Sequence, residues 1–184
     1  MAHIPMELNK IAISETGDAQ VIVLRERGGN RVLPIWIGLA EALAIQRKIH
    51  GEEPARPMTH DLVVNLITKL GTRLTAVLID RFIALPSGGT FHAKLMLTRG
   101  KETVAVDCRP SDAIALAVRC DAEIQVEEKI LNEEGQDVTA IPKGPPREEE
   151  ESEEIPEEEI PPEADEEEGD EDEEPEDGES DSER

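Results

Sequence analysis

The sequence predicts an α+β fold, a compact domain of mixed or antiparallel sheets with short buried helices. Two observations predict it locally: pairs of β-rich runs separated by turn residues, and short alanine-rich runs with helical spacing. A third is a weak self-similarity at a shift of 71 positions, which places Glu41 on Asp112 and Ile45 on Leu116. The echo predicts that a unit made of a β-hairpin and a helix occurs twice in the chain.

The elements of the first half follow from periodicity and turn chemistry. MELNKIAISE (6–15) is predicted to be a strand with one buried face. QVIVLRERGGNRVLPIWIG (20–38) has two β-rich runs around a Gly-Gly-Asn turn, which is typical of a hairpin. Helices are predicted over 39–49, with Gly51 as the terminating glycine, and over 59–71.

The second half repeats this plan. RLTAVLIDRFIAL (73–85), TFHAKLMLTRG (90–100) and KETVAVDC (101–108) are predicted strands. A third helix contains the apolar run 113–118, and AEIQVEE (122–128) is expected to be the last strand.

The two cysteines, Cys108 and Cys120, are expected at opposite ends of the third helix. About 12 residues of helix would separate them by roughly 18 Å, which is too far for a disulfide. We therefore expect reduced thiols and a cytoplasmic protein. No run of apolar residues is long enough to cross a membrane, and the first ten residues lack an apolar signal region.

Charge divides the chain into two parts. Residues 147–184 contain 24 acidic and 2 basic side chains, a net charge of −22 out of the total of −24. We expect a folded domain over residues 1–142 and a disordered acidic tail over 143–184, because so polar a segment cannot bury enough surface to offset its ordering entropy. The tail either maintains solubility or mimics a polyanion that engages a basic partner or the domain itself.

Polar residues crowd the start of the third helix in DCRPSDAIAL (107–116). Ser111 and Asp112 are explained by capping and by the helix dipole. Asp107 and Arg109 are not explained in this way. Arg109 either pairs with its acidic neighbours or forms part of a binding site.

The second helix begins with a similar group, THD (59–61). Thr59 is a good capping residue and Asp61 suits the first turn, whereas a cap does not require His60. His60 is either a surface residue or a group that holds a metal or acts as acid or base. Glu41 lies in an apolar helix and must find a partner. If the two halves pack about a pseudo-twofold axis, Glu41 and Asp112 would face each other near THD, and clustered carboxylates with one histidine would suit Mg²⁺ or Mn²⁺.

Two features limit the binding classes. The chain has only three aromatic residues, Trp36, Phe82 and Phe91, which argues against a stacking platform for single-stranded nucleic acid. The folded part is not basic, which argues against a tight DNA binder and leaves an enzyme that binds its substrate weakly.

Three ordered blocks resemble the signature blocks of the bifunctional nuclease family: LPIWIGLAEALAIQ (33–46), PARPMTHDLV (54–63) and DCRPSDAIALAVR (107–119). The resemblance runs from about Met6 to Ile130. It implies a compact α+β domain and an activity for which plant members are named, the cleavage of RNA and DNA. Many bacterial members continue into a short helical motif shared with excision-repair proteins. An acidic tail replaces that motif here, which weakens any implied link to a repair complex.

The polar positions of the family coincide with the residues that capping explains least completely. They are Glu41, Thr59, His60, Asp61, Asp107, Arg109, Ser111 and Asp112. The resulting hypothesis is a metal-assisted phosphodiesterase acting on RNA, DNA or both, with Mg²⁺ or Mn²⁺ as cofactor.

In this hypothesis the catalytic set is divided by chemistry. His60 is the acid or base, and Glu41, Asp61, Asp107 and Asp112 supply carboxylates as catalytic groups and metal ligands. Arg109, Thr59 and Ser111 bind the substrate, and the planar fork of Arg109 suits two phosphate oxygens. The alternative is a non-catalytic module that binds an anionic ligand or serves as a regulatory homo-oligomer.

Overall fold

In the part of the chain that the structure describes, eight strands form one mixed sheet and four helices accompany it. The computed structural model describes residues 2–14, 20–86 and 88–138, all within one unit spanning residues 1–149. The strands are β1 His3–Ile13, β2 Gln20–Glu26, β3 Arg31–Ile37, β4 Arg73–Leu85, β5 Gly88–Arg99, β6 Glu102–Cys108, β7 Glu123–Glu127 and β8 Gln136–Asp137. The helices are α1 Leu39–Ile49, α2 Thr59–Lys69, α3 Pro110–Cys120 and α4 Glu128–Glu133.

The sheet is built from two antiparallel meanders joined by one strand. Its order is β6-β5-β4-β7-β1-β2-β3-β8, so β1–β3 and β4–β6 lie on either side of β7. β7 is parallel to β4 and antiparallel to β1. The α+β prediction is confirmed, with one mixed sheet rather than separate sheets.

Each meander ends in a helix of the same length. α1 follows β3 and α3 follows β6, and the bounds of α3 are those of α1 plus 71. The predicted repeat of a hairpin and a helix is therefore present, at the shift that the sequence echo indicates. Glu41 and Asp112 occupy the same position in the two helices, the third residue of each.

The core lies between the sheet and α3. Residues 113–117 of α3 are all buried, and their alternating Ala side chains let this helix approach the sheet closely. α3 packs against α1 and α2 as well as β4 and β5. The largest fully buried side chains come from both meanders and from three helices: Met6, Ile22, Leu24, Leu33, Ile45, Ile79, Ile114 and Leu131. Both halves of the chain therefore contribute to the main core, which contains α3, and a smaller separate cluster is formed by Val21, Val23 and Val32.

The predicted helix ends are confirmed by backbone conformation. Gly51 and Gly71 follow α1 and α2 with φ of +71° and +70°, a conformation that glycine adopts without a steric cost.

Two predictions about elements were wrong. β7 is not the last strand, because α4 and the short β8 follow it, and β8 pairs with Arg31 and Val32 of β3. Cys108 ends β6 rather than lying on α3, because Pro110 starts the helix only after the strand has finished. Both thiols are free, as expected.

The predicted acidic tail, 143–184, lies outside the described residues. In the described part of the chain, we find no helix with the length and apolar character needed to cross a bilayer.

Candidate active site

The starts of α1, α2 and α3 each place an acid at the third helical position. These acids are Glu41, Asp61 and Asp112. A carboxylate in the first turn is favoured by the partial positive charge of the helix start, which explains the choice of residue locally. The local explanation is incomplete, however, because all three carboxylates also pair with an arginine.

Arg109 is the centre of the main cluster. It precedes α3 in an extended conformation, so its side chain can turn back along the helix start. Its Nε and Nη2 donate to the two carboxylate oxygens of Asp112, at 2.9 and 3.1 Å. Its Nη1 lies 2.7 Å from Glu41 Oε1. One guanidinium therefore joins the two residues that the internal repeat makes equivalent.

These contacts shift the ionisation of both partners. The hydrogen bonds and charge of Asp112, together with those of Glu41, hold the pKa of Arg109 above its ordinary value. Partial burial acts to raise the pKa of Asp112, but hydrogen bonds from Arg109 and His60 outweigh it and leave that pKa below its ordinary value. The pair is therefore ionised throughout the neutral range.

His60 extends the cluster behind Asp112. Its Nε2 lies 3.3 Å from Asp112 Oδ1, and its side chain is only 16% exposed. The side chains thus form a continuous chain of contacts, from His60 through Asp112 and Arg109 to Glu41, that crosses all three helix starts.

A cleft of about 420 Å³ opens beside this cluster. The helix starts contribute Glu41, Arg109 and Ser111 to its lining, and the strands contribute residues of β3 and β5. β3 and β5 are not neighbours in the sheet, so the cleft forms where the two halves of the repeat meet. Glu41 is held close to the backbone at its mouth, since a β-carbon on Gly38 would overlap its carboxylate.

Asp61 belongs to a separate and more buried cluster. Arg119 Nε donates to Asp61 Oδ1 at 2.7 Å, and the Arg119 side chain is 8% exposed. The two Nη atoms of Arg119 donate to the carbonyl oxygens of Ala115 and Ala44, at 2.9 and 3.1 Å. Arg119 therefore ties α1, α2 and α3 together beneath the site.

The sequence prediction did not include Arg119. The available signal was a single arginine in the apolar run AIALAVRC, seven residues after Asp112 and hence near the same face of α3. The hydrogen bond from Arg119 is the main reason that the pKa of Asp61 lies below its ordinary value.

The remaining predicted site residues lie outside the cluster. Thr59 is exposed on the first turn of α2, and Asp107 is exposed on β6, paired in register with Lys94 of β5. Neither residue makes a hydrogen bond or ion pair with the cluster or lines the cleft.

The capping roles predicted for Thr59 and Ser111 were wrong. α2 is preceded by Met58, whose N–H donates to Asp61 Oδ2 at 3.0 Å, and Thr59 is already helical. Ser111 is the second residue of α3, because Pro110 begins the helix, and it is buried in the lining of the cleft.

The metal prediction meets a geometric difficulty. Within residues 2–14, 20–86 and 88–138, no three His, Cys, Asp or Glu side chains are placed to share a metal ion. Glu41 and Asp112 face a guanidinium rather than each other, and Asp61 faces Arg119. In this arrangement the described side chains do not fit a metal ion. Metal binding is not otherwise tested by the structure and stays a prediction.

Cys108 lies next to the cluster but is unsuited to be a nucleophile. Burial, reinforced by the charges of Asp112 and Asp107, raises its pKa to about 12. Its thiol is therefore protonated near neutral pH, whereas the thiolate is the reactive form.

The fold and the site are thus an α+β domain with an arginine–carboxylate cluster beside an open cleft at the helix starts. The family is shown by sequence. The model of the bifunctional nuclease domain matches residues 22–139, and the chain belongs to this family.

Its relatives include both uncharacterized and named proteins. An uncharacterized protein of Mycobacterium tuberculosis (strain CDC 1551 / Oshkosh) is 43% identical over 125 residues, covering 68% of this chain and 72% of that protein. Bifunctional nuclease 2 of Oryza sativa subsp. japonica is 33% identical, covering 67% of this chain and 38% of its own length. Bifunctional nuclease 1 of Arabidopsis thaliana is 27% identical, covering 62% of this chain and 35% of its own length. The matched region is thus little more than a third of each plant protein.

Proposed function

We propose that the chain hydrolyses phosphodiester bonds in nucleic acid and that the cleft beside Arg109 is the active site. The observation that carries this proposal is the Glu41–Arg109–Asp112 cluster at the cleft, in a chain that belongs to the bifunctional nuclease domain family. The names of the plant relatives support the class of reaction.

The cluster contains the charges that such a reaction needs. Hydrolysis requires a base that takes a proton from water and a cation that stabilises the charge developing on phosphorus-bound oxygens. In the proposal, the Glu41 carboxylate is the base. Arg109 is the phosphate-binding cation, because a guanidinium has five N–H groups and three contacts leave two of them for a ligand.

Asp112 and His60 position Arg109 in this proposal. Asp112 holds the guanidinium through two parallel hydrogen bonds, which fix its plane. His60 reaches the cleft only through Asp112 and is not part of the cleft lining. We therefore expect replacement of His60 by glutamine to weaken cleavage, whereas loss of all cleavage would indicate the direct acid or base role that its sequence position predicts.

The test is cleavage of labelled RNA, single-stranded DNA and duplex DNA by the full chain, with Mg²⁺, with Mn²⁺ and with EDTA. Glu41→Gln and Arg109→Lys are each expected to lower the cleavage rate by about 10²–10³-fold. The EDTA arm tests metal dependence independently of the site assignment.

Matched controls are available on two strands whose side chains do not line the cleft. Glu7 and Arg25 form an exposed ion pair on β1 and β2, with Arg25 Nη2 and Glu7 Oε1 2.7 Å apart. Glu7→Gln and Arg25→Lys repeat the same chemical changes away from the cleft and are expected to leave cleavage unchanged. Equal cleavage by all four variants would assign the activity to a contaminant or to another site.

A second candidate is a non-catalytic module that binds a second copy of the chain. α2 favours it, because no residue of this helix is buried and apolar side chains at four-residue spacing are exposed along it and at its two ends: Met58, Leu62, Leu66 and Leu70. Sedimentation of the wild-type chain and of Leu62→Glu/Leu66→Glu separates the candidates. A module of this kind would dissociate in the variant, whereas a nuclease acting as a monomer would show one unchanged species.

A further inference from the structure

Two of the three aromatic side chains of the protein pack together beside the cleft, and the third contributes to its lining. The sequence contains one tryptophan, two phenylalanines and no tyrosine. Trp36 of β3 and Phe91 of β5 line the same cleft as Arg109. Phe82 of β4 packs on Phe91, with ring centroids 4.7 Å apart and ring planes at 47°.

The Phe91 ring is supported from behind. Phe82 and Phe91 are directly opposite in the β4–β5 pair, where cross-strand rings stabilise each other. Gly89 makes room for this arrangement, because a β-carbon at Gly89 would overlap the Phe82 ring. The aromatic wall of the cleft is therefore held in place by a second ring and by a glycine.

The cleft is chemically divided. The strands supply Trp36 and Phe91, whereas the helix starts supply Arg109, Glu41 and Ser111. A nucleotide has the same division, with a flat base and an anionic phosphate. The volume of about 420 Å³ lies within the usual range for a site that encloses one small ligand.

We infer that the cleft binds one unpaired nucleotide of a single-stranded nucleic acid, with its base against Phe91 and its phosphate at Arg109. The inference rests on the proposed function for the kind of ligand, and it adds a preference for single strands over duplex. A base within a duplex is stacked on its neighbours and cannot reach an aromatic wall, whereas an unpaired base can.

The inference also changes the meaning of the low aromatic content. Three aromatic residues in 184 argue against a stacking surface only if they are dispersed. The antiparallel pairing of β4 with β5 brings Phe82 and Phe91 together, and Trp36 of β3 lines the same cleft.

Trp36 provides the measurement, because the fluorescence of the sole tryptophan reports on the cleft. The full chain is titrated with a short phosphorothioate-linked DNA strand, which resists cleavage, then with an abasic strand of equal length and with a blunt duplex. We expect the base-bearing strand to quench Trp36 and to bind roughly five- to a hundredfold more tightly than the abasic strand, and the duplex to resemble the abasic strand.

Variants assign that preference to the aromatic wall. Phe91→Leu is expected to abolish the preference for bases, Phe91→Tyr to retain it, and Gly89→Ala to reduce it by displacing Phe82. Met96→Leu changes an apolar side chain on the same strand outside the cleft and is expected to behave as wild type. Thermal unfolding of each variant checks that the fold is retained.

Three results would overturn the inference: equal affinity for base-bearing and abasic strands, equal affinity for duplex, or an undiminished preference in Phe91→Leu. The binding measurement does not depend on whether the chain cleaves nucleic acid. A chain that prefers bases but cleaves nothing supports the binding site and removes the nuclease proposal. A chain that cleaves base-bearing and abasic strands at equal rates supports the nuclease proposal and removes the binding site.

Discussion

At the scale of single residues, Arg109 and Arg119 show how the same side chain serves two purposes. Arg109 is 65% exposed and is held by two carboxylates, so part of its guanidinium is available to a ligand. Arg119 is 8% exposed and donates to one carboxylate and two backbone carbonyls. An exposed arginine can bind a ligand with its remaining N–H groups, whereas a buried one that bonds to neighbouring helices suits packing.

The two thiols give a prediction at this scale. Burial raises the pKa of Cys108 to about 12 and also raises the pKa of Cys120. Since only a thiolate alkylates readily, we expect the folded chain to resist iodoacetamide near pH 8 and the chain unfolded in urea to gain two adducts. Mass spectrometry counts the adducts, and rapid modification of Cys108 in the folded chain would contradict its placement.

At the scale of elements, the helix starts are the functional units of this fold. α1 and α3 are equivalent by the internal repeat, and each presents its third residue to Arg109. α2 contributes His60 to the cluster, and its Asp61 anchors it through Arg119. The site therefore depends on the relative placement of three helices, which Arg119 fixes from below.

Replacement of Arg119 tests this anchoring. We expect Arg119→Ala to lower the free energy of unfolding by about 2–4 kcal/mol, because it leaves Asp61 and two carbonyls without their partner. Arg119→Lys keeps the charge but loses the fork, and it should recover only part of the loss. Urea unfolding measures the free energy of unfolding of both variants. An unchanged free energy in Arg119→Ala would contradict the anchoring role of Arg119.

The pH dependence of the same pair has a defined sign. The pKa of Asp61 is below its ordinary value of 3.8 in the folded chain, so its contribution is complete above that pH. The contribution is lost as the pH falls through the lower folded value, where Asp61 becomes protonated. The destabilisation caused by Asp61→Asn should therefore be largest near neutral pH and shrink below pH 3.8, as measured by unfolding midpoints.

At the scale of the whole molecule, charge and sheet architecture set the conditions for binding. β4 lies between β5 and β7, so both of its edges are paired with other strands. This long strand is therefore not available for edge-to-edge association. The folded part is nearly neutral, whereas residues 147–184 carry 24 acids and 2 bases. Such a segment is expected to compete electrostatically with nucleic acid for a cationic site.

Removal of the acidic segment tests whether this segment competes with nucleic acid. We expect a chain of residues 1–146 to bind single-stranded DNA more tightly than the full chain at about 10 mM salt, where the screening length is roughly 30 Å. The difference should vanish near 1 M salt, where that length is about 3 Å. Equal dissociation constants at low salt would exclude competition by the tail and leave solubility as its role.

The sequence by itself determined the local structure and the polar side chains available to form a site. Alternation, turn glycines and helical spacing predicted three helices and most of the strands, because each depends on contacts between near neighbours. The shift of 71 positions predicted the repeat, and the polar residues at the helix starts predicted which side chains to examine.

Only the tertiary structure decided which of those side chains act together. The pairing of Arg109 with Glu41 joins residues 68 positions apart in the chain, and Arg119 reaches Asp61 and Ala44 on two other helices. Thr59 and Asp107 have the same local character as their neighbours, yet they lie outside the cluster. Strand pairing brings Phe82 against Phe91, and Trp36 from a distant strand lines the same cleft. Such long-range proximity is set by packing of the whole core, and a local pattern contains no record of it.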